Sequence, residues 1–112
     1  MNVQPFSAIQ SQTQAIVPTN ASQTLTFNTA GTNANCYYVY NASTVAVAVK
    51  TGLASAGAVT AVFPAPGTPG DLVVPPGSIQ IFSKGFPIDT IAIIGAAGGG
   101  SGNVYVTPGE GQ

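Results

Sequence analysis

The chain repeats one local pattern: short stretches in which apolar and polar side chains alternate, cut by glycine and proline, with no segment of helical period. In "SQTLTFN", Ser22 to Asn28, Leu25 and Phe27 share one face, while Thr24, Thr26 and Asn28 share the other. "NCYYVYN", Asn35 to Asn41, sets Cys36, Tyr38 and Tyr40 against Tyr37 and Val39, and "TVAVAVK" sets Val45, Val47 and Val49 against Ala46 and Ala48. A period of two belongs to a strand with two distinct faces. The valine/alanine split predicts a strand buried on both faces, one against a sheet and the other closely approached. The pattern continues through "DLVV", the turn "PPG", and "SIQIFS", where Ile79 and Ile81 oppose Gln80 and Phe82, and ends in "IDTIAIIG" and "NVYV".

About eight such strands with turn signals between them predict an all-β fold, an antiparallel β-sandwich or barrel. A small jelly roll is the preferred topology and an immunoglobulin-like sandwich the alternative. At 112 residues the chain has the length of one domain. Residues 1–14, rich in Gln and Ser, read as a flexible N-terminal arm, either frayed or laid on a neighbour. Residues 15–112 read as a single β domain.

Asn41 precedes Ala42-Ser43 and has a side chain able to close a turn, so a hairpin is expected between "NCYYVYN" and "TVAVAVK". A second, looser hairpin is expected between "IDTIAIIG" and "NVYV", through the glycine-rich stretch Ala96 to Gly102. The connection Gly52 to Gly70 is long, holds only Ala58 to Phe63 as a possible short strand, and has no charge. Loops of this length usually contact something. Leu53, Val59, Val62 and Phe63 are therefore candidates for a subunit interface, with a loop folded back over the end of its own barrel as the alternative. "NASQTLTFNTAG" and "NASTVAVAVKTG" look like a repeat, but their large apolar residues fall on opposite phases, so the likeness is turn chemistry used twice.

Charge is the unusual part of the composition. Lys50, Lys84, Asp71, Asp89 and Glu110 are the whole ionisable set beyond Cys and Tyr, with no Arg and no His. An ordinary domain carries about 25% charged residues; this one carries 4%, with 45% hydrophobic. Disorder does not explain that balance, because disordered chains are poorly hydrophobic and highly charged. Ser, Thr, Asn and Gln supply the polarity, and neutral groups cost less to desolvate than charges. The composition points to an assembly subunit.

The same scarcity removes most chemistry. Without His there is no Ser-His-Asp or Cys-His arrangement and no imidazole for a metal. Asp71, Asp89 and Glu110 each adjoin a turn or a strand start, where solvation accounts for them better than a glycosidase pair does. Cys36 reads as a small buried residue, and a lone cysteine leans towards a reducing compartment. The glycine tract leads into a strand, whereas a phosphate cradle opens a helix, so it predicts no nucleotide site. Both Asn-Ala-Ser sequons read as turns. The expectation is no enzyme, no cofactor, no metal and no small-molecule substrate. Two Lys give no basic patch for nucleic acid. "MNVQPFSAIQSQTQ" lacks the regions of a signal peptide, and the apolar run Ile91 to Ala97 is too short to span a bilayer, so neither export nor membrane insertion is expected. Tyr37, Tyr38 and Tyr40 are a candidate aromatic contact, a platform for sugar rings or a set of cross-strand packing residues; Tyr37 falls on the face opposite the other two.

At "VVPPGSIQIF" and "GNVYVTPGEGQ", with the strand "YYVYNASTVAVAVKTG", residues Asn35 to Gln112 resemble small virion proteins of tailed bacteriophages, the class that includes head decoration or cement proteins. The resemblance implies a β-rich homo-oligomer, a dimer or trimer, that binds the major capsid protein on the outside of the virion after synthesis in the host cytoplasm and stabilises the shell, which would put Leu53, Val59, Val62 and Phe63 at a subunit or capsid interface. A receptor- or carbohydrate-binding module of a phage tail is the other expectation.

Overall fold

The computed structural model describes residues 6–8, 12–27, 35–53, 55, 57–83, 88–96 and 101–111. Among them are nine strands: β1 (Phe6–Ala8), β2 (Gln14–Ile16), β3 (Gln23–Thr26), β4 (Cys36–Asn41), β5 (Val47–Gly52), β6 (Leu72–Val74), β7 (Ile79–Ser83), β8 (Thr90–Gly95) and β9 (Val104–Gly111). All pairings are antiparallel. One sheet runs β1-β9-β4-β7, with β2 also on β9, and the other runs β3-β8-β5-β6. Since β1 pairs with the end of β9 and β2 with its start, they share one edge, and the nine strands fill two sheets of four positions.

The fold is an all-β sandwich, and its strand order is that of a jelly roll. From β2 onward every connection passes from one sheet to the other except β5 to β6. Two expectations fail on this point. β4 and β5 do not form a hairpin, and neither do β8 and β9: each pair is split between the sheets. At residues 41–46 the reason is local. The Asn41 amide donates to Val45 O at 2.9 Å and to Val74 O at 3.0 Å, and its Oδ1 accepts from Ser43 N at 3.0 Å and Ser43 Oγ at 2.5 Å. The side chain closes the turn as expected, but it also holds the end of β6 in the opposite sheet. A corner results, and β5 starts only at Val47.

The turn "PPG" forms as its residues require. Ser78 N donates to Pro75 O at 3.3 Å around Pro76 and Gly77, and Gly77 has φ +78°. Proline followed by a left-handed glycine is the pairing a type II turn demands.

The core lies between the sheets. Tyr37 and Val39 of β4 and Val104 and Val106 of β9 face Phe27, Val47, Val49, Val74, Ile91 and Ile93 of the opposite layer. Phe27 and Tyr37 bridge the layers with ring centroids 5.5 Å apart at 45°. Val47, Ala48 and Val49 are all buried, the valines inward and Ala48 on the outer face of its sheet. Ala92 is likewise fully buried on that outer face.

The long connection after β5 lies across this outer face. Residues 57–59 wall a cavity of about 280 Å³ with Thr24, Thr26 and Thr90, and Ala61 N donates to Ser22 Oγ at 2.9 Å. A Cβ built on Gly52 would stand 2.5 Å from Val59, so the strap sits directly on the strand. Ala58 to Phe63 makes no ladder, contrary to the short strand considered for it. Within residues 1–14, Phe6–Ala8 pairs with Gly109–Gly111 as part of the protein's own sheet.

Candidate functional site

Alternation fixes what each sheet shows to the outside. In the β9-β4-β7 layer the inward residues are Tyr37, Val39 and Asn41, so Tyr38 and Tyr40 point outward. Register then places Tyr105 beside Tyr40 on one flank and Ile79 on the other, with Thr107 and Ile81 flanking Tyr38. Tyr40 and Tyr105 stack with centroids 6.1 Å apart and planes at 22°. Asn103 Nδ2 donates to the Tyr105 hydroxyl at 3.3 Å.

Ile79 is 50% exposed, Ile81 43%, Tyr40 37% and Tyr105 36%. No Asp, Glu or Lys occupies this outer face in the described parts of β4, β7 and β9, since Glu110 falls on the opposite phase at the far end of β9. The result is an outer surface of two tyrosine rings and two isoleucine side chains, threonine at its margin: Thr107 Oγ1 lies 2.7 Å from Thr13 Oγ1. Soluble domains rarely leave such side chains contiguous without a partner.

The aromatic contact expected from Tyr37, Tyr38 and Tyr40 divides. Tyr37 is wholly buried in the core, and its phenol is held far above its ordinary value by burial, with the Asp89 carboxylate adding to the effect. Tyr38 and Tyr40 lie on the exposed face, joined there by Tyr105, Ile79 and Ile81. The sequence marked Ile79 and Ile81 as sharing a phase; only the pairing with β4 shows that this phase faces out.

Of Leu53, Val59, Val62 and Phe63, only Val62 is exposed, at 44%; the other three are half-buried. The strap lies on its own sheet, across the outer face and not over the end of the sandwich. The Asp71 carboxylate accepts from Val62 N at 2.7 Å, and Asp71 N donates to Val62 O at 2.8 Å, which fastens the strap at the start of β6. The other two carboxylates are placed elsewhere: Asp89 Oδ1 accepts from Thr90 Oγ1 at 3.0 Å, and Glu110 is exposed near the end of β9. Cys36 is buried and free.

Comparison of the chain with protein-family models, with curated proteins and with solved structures finds no match.

Proposed function

We propose that this chain is a non-enzymatic structural subunit that packs through its tyrosine and isoleucine face onto a larger protein shell, as a decoration or cement protein on the outside of a bacteriophage capsid. The observation that carries this reading is the charge-free outer face of the β9-β4-β7 layer, with Ile79, Ile81, Tyr40 and Tyr105 all open to solvent. Interface cores are depleted of charge and enriched in aromatic residues, and neutral side chains lose little on desolvation. The resemblance of Asn35 to Gln112 to small virion proteins supports the same reading. Jelly rolls recur in viral capsid and lectin domains, an analogy of fold and no more than that.

A second reading has one observation behind it. The Tyr40 and Tyr105 rings, paired on the exposed face, are aromatic groups of the kind on which sugar rings rest, which suits a carbohydrate-binding module of a virion appendage. Mass spectrometry of purified virions with copy counting separates the two. A decoration subunit is present in hundreds of copies and a tail module in a few. Tyr40→Glu, at an exposed position, should leave the melting temperature within a few degrees and abolish co-sedimentation with particles. A wild-type protein that never co-sediments with particles overturns the decoration reading, and saturable binding on a glycan array favours the second.

A further inference from the structure

Beyond the outer face, β7 has β4 on one side and no strand on the other among the described residues. Its backbone orientation follows from the ladder. Asn41 N donates to Ser78 O at 3.0 Å and Asn41 O accepts from Gly77 N at 2.7 Å, so Asn41 turns both backbone groups towards β7. Bonded and non-bonded pairs alternate along an antiparallel ladder, so Val39 and Gln80 are the next bonded pair. Gln80 therefore turns its N–H and C=O towards β4, and Ile79 and Ile81 turn theirs away, to the open edge.

The other sheet margins are managed differently. β6 is three residues long, with the strap fastened to Asp71 at its start and Pro75-Pro76 at its end. The β3 margin carries a side-chain cap: Gln14 Nε2 donates to Thr26 O at 2.8 Å. β1 and β2 are three residues each. β7 spans five residues with no proline and no charge, and such edges invite another strand.

We infer that β7 is a self-association edge, pairing antiparallel with β7 of a second copy about a two-fold axis at Gln80. That register makes Ile79 and Ile81 of opposite copies bonded partners, so the outward N–H and C=O groups of both residues are satisfied in both copies. It also sets isoleucine against isoleucine on the outer face. A register centred on Ile81 would oppose Ile79 to Ser83 and Gln80 to Phe82, matching apolar with polar residues. With no charge on the strand, a second copy meets no like-charge repulsion. A two-fold contact is self-complementary. The pair extends β9-β4-β7 into one continuous sheet, with the tyrosine and isoleucine faces of both copies side by side. The inference deepens the proposed function by naming the contact between copies.

Each copy contributes only a short strand, so the buried area falls below the roughly 1,000 Å² expected of a stable interface, and the dimer should be micromolar in solution and tighter when both copies are held on a lattice. Sedimentation equilibrium up to about 500 μM should return twice the 11.1 kDa chain mass. Ile81→Pro removes an outward N–H without touching the bonds to β4, and Ile79→Lys with Ile81→Lys sets like charges opposite one another; both should return the monomer mass with an unchanged strand spectrum. Because a proline can disturb the fold, a third protein, Cys36→Ser with Gln80→Cys, tests the register directly. Residues in a non-bonded antiparallel pair have Cα atoms about 4.5 Å apart, within disulfide range, so mild oxidation should link two chains. A wild-type mass that stays at one chain, a dimer that survives both edge variants, or no cross-link at Gln80 overturns the inference. A monomer that still co-sediments with virions refutes only the edge pairing; a β7 dimer that never binds particles refutes only the proposed function.

Discussion

Asn41 is the residue whose removal should cost the fold most for its size. Its side chain is fully buried and makes four hydrogen bonds: two from the amide nitrogen to Val45 O and Val74 O, and two accepted from Ser43. A buried hydrogen bond is worth about 1 kcal/mol net, and a stranded buried partner costs about 1 to 3. Truncation in Asn41→Ala removes the side-chain partners of Val74 O and Ser43 N, while the Ser43 hydroxyl keeps Val45 O as an acceptor at 3.0 Å, so the expected loss is about 3 kcal/mol. With an unfolding entropy of about 2.1 cal/mol/K per residue, this is a fall of about 13 °C in Tm. Asn41→Asp keeps the shape but replaces the donor with an oxygen about 3 Å from two carbonyl oxygens. Burial and those two acceptors disfavour the charged form, so the introduced carboxyl should titrate above its unfolded value of about 3.9. A folded pKa raised above the unfolded one gives stability that is whole below the unfolded value and lost as pH rises through the folded one. Urea melts at pH 4 and pH 7, each referred to wild type, should show the variant more destabilised at pH 7. A loss under about 1 kcal/mol for Asn41→Ala, or a larger penalty at pH 4 for Asn41→Asp, would refute the claim that this amide ties the two sheets together.

Tyr37 predicts the alkaline limb of stability. Its phenol is held above the usual 10.0 by burial first and by Asp89 second, so the stability it contributes is whole below pH 10 and falls as pH rises beyond it. Tyr37→Phe should flatten that decline in denaturant titrations from pH 9 to pH 11, and an unchanged slope would count against the assignment. Gly70 has no room for a side chain: a Cβ there would lie 2.5 Å from Pro64 N and 2.6 Å from Val62 O, both backbone atoms. Gly70→Ala should cost about 1 to 3 kcal/mol and raise proteolysis within the strap, while unchanged stability and cleavage would show that the strap adjusts freely.

Strand identity and face alternation were legible in the sequence because both are local. Tyr37 and Val39 fall opposite Tyr38 and Tyr40 by chain geometry alone, and Pro75-Pro76-Gly77 dictates its turn through fixed φ and a left-handed glycine. Scarcity of charge, visible in the composition, set the neutral polarity of the strands before any pairing was known. Pairing was not legible. A hairpin is the shortest closure between neighbouring strands, and it was expected for β4 with β5 and for β8 with β9, yet the tertiary structure sends each pair to opposite sheets. What overrides the short closure at the first of these is non-local: the Asn41 amide finds Val74 O, 33 residues away. The same holds for Ile79 and Ile81. Their shared phase is written in the chain, but whether that phase is core or surface depends on the register with β4, and it is this register that turns Ile79 and Ile81 outward.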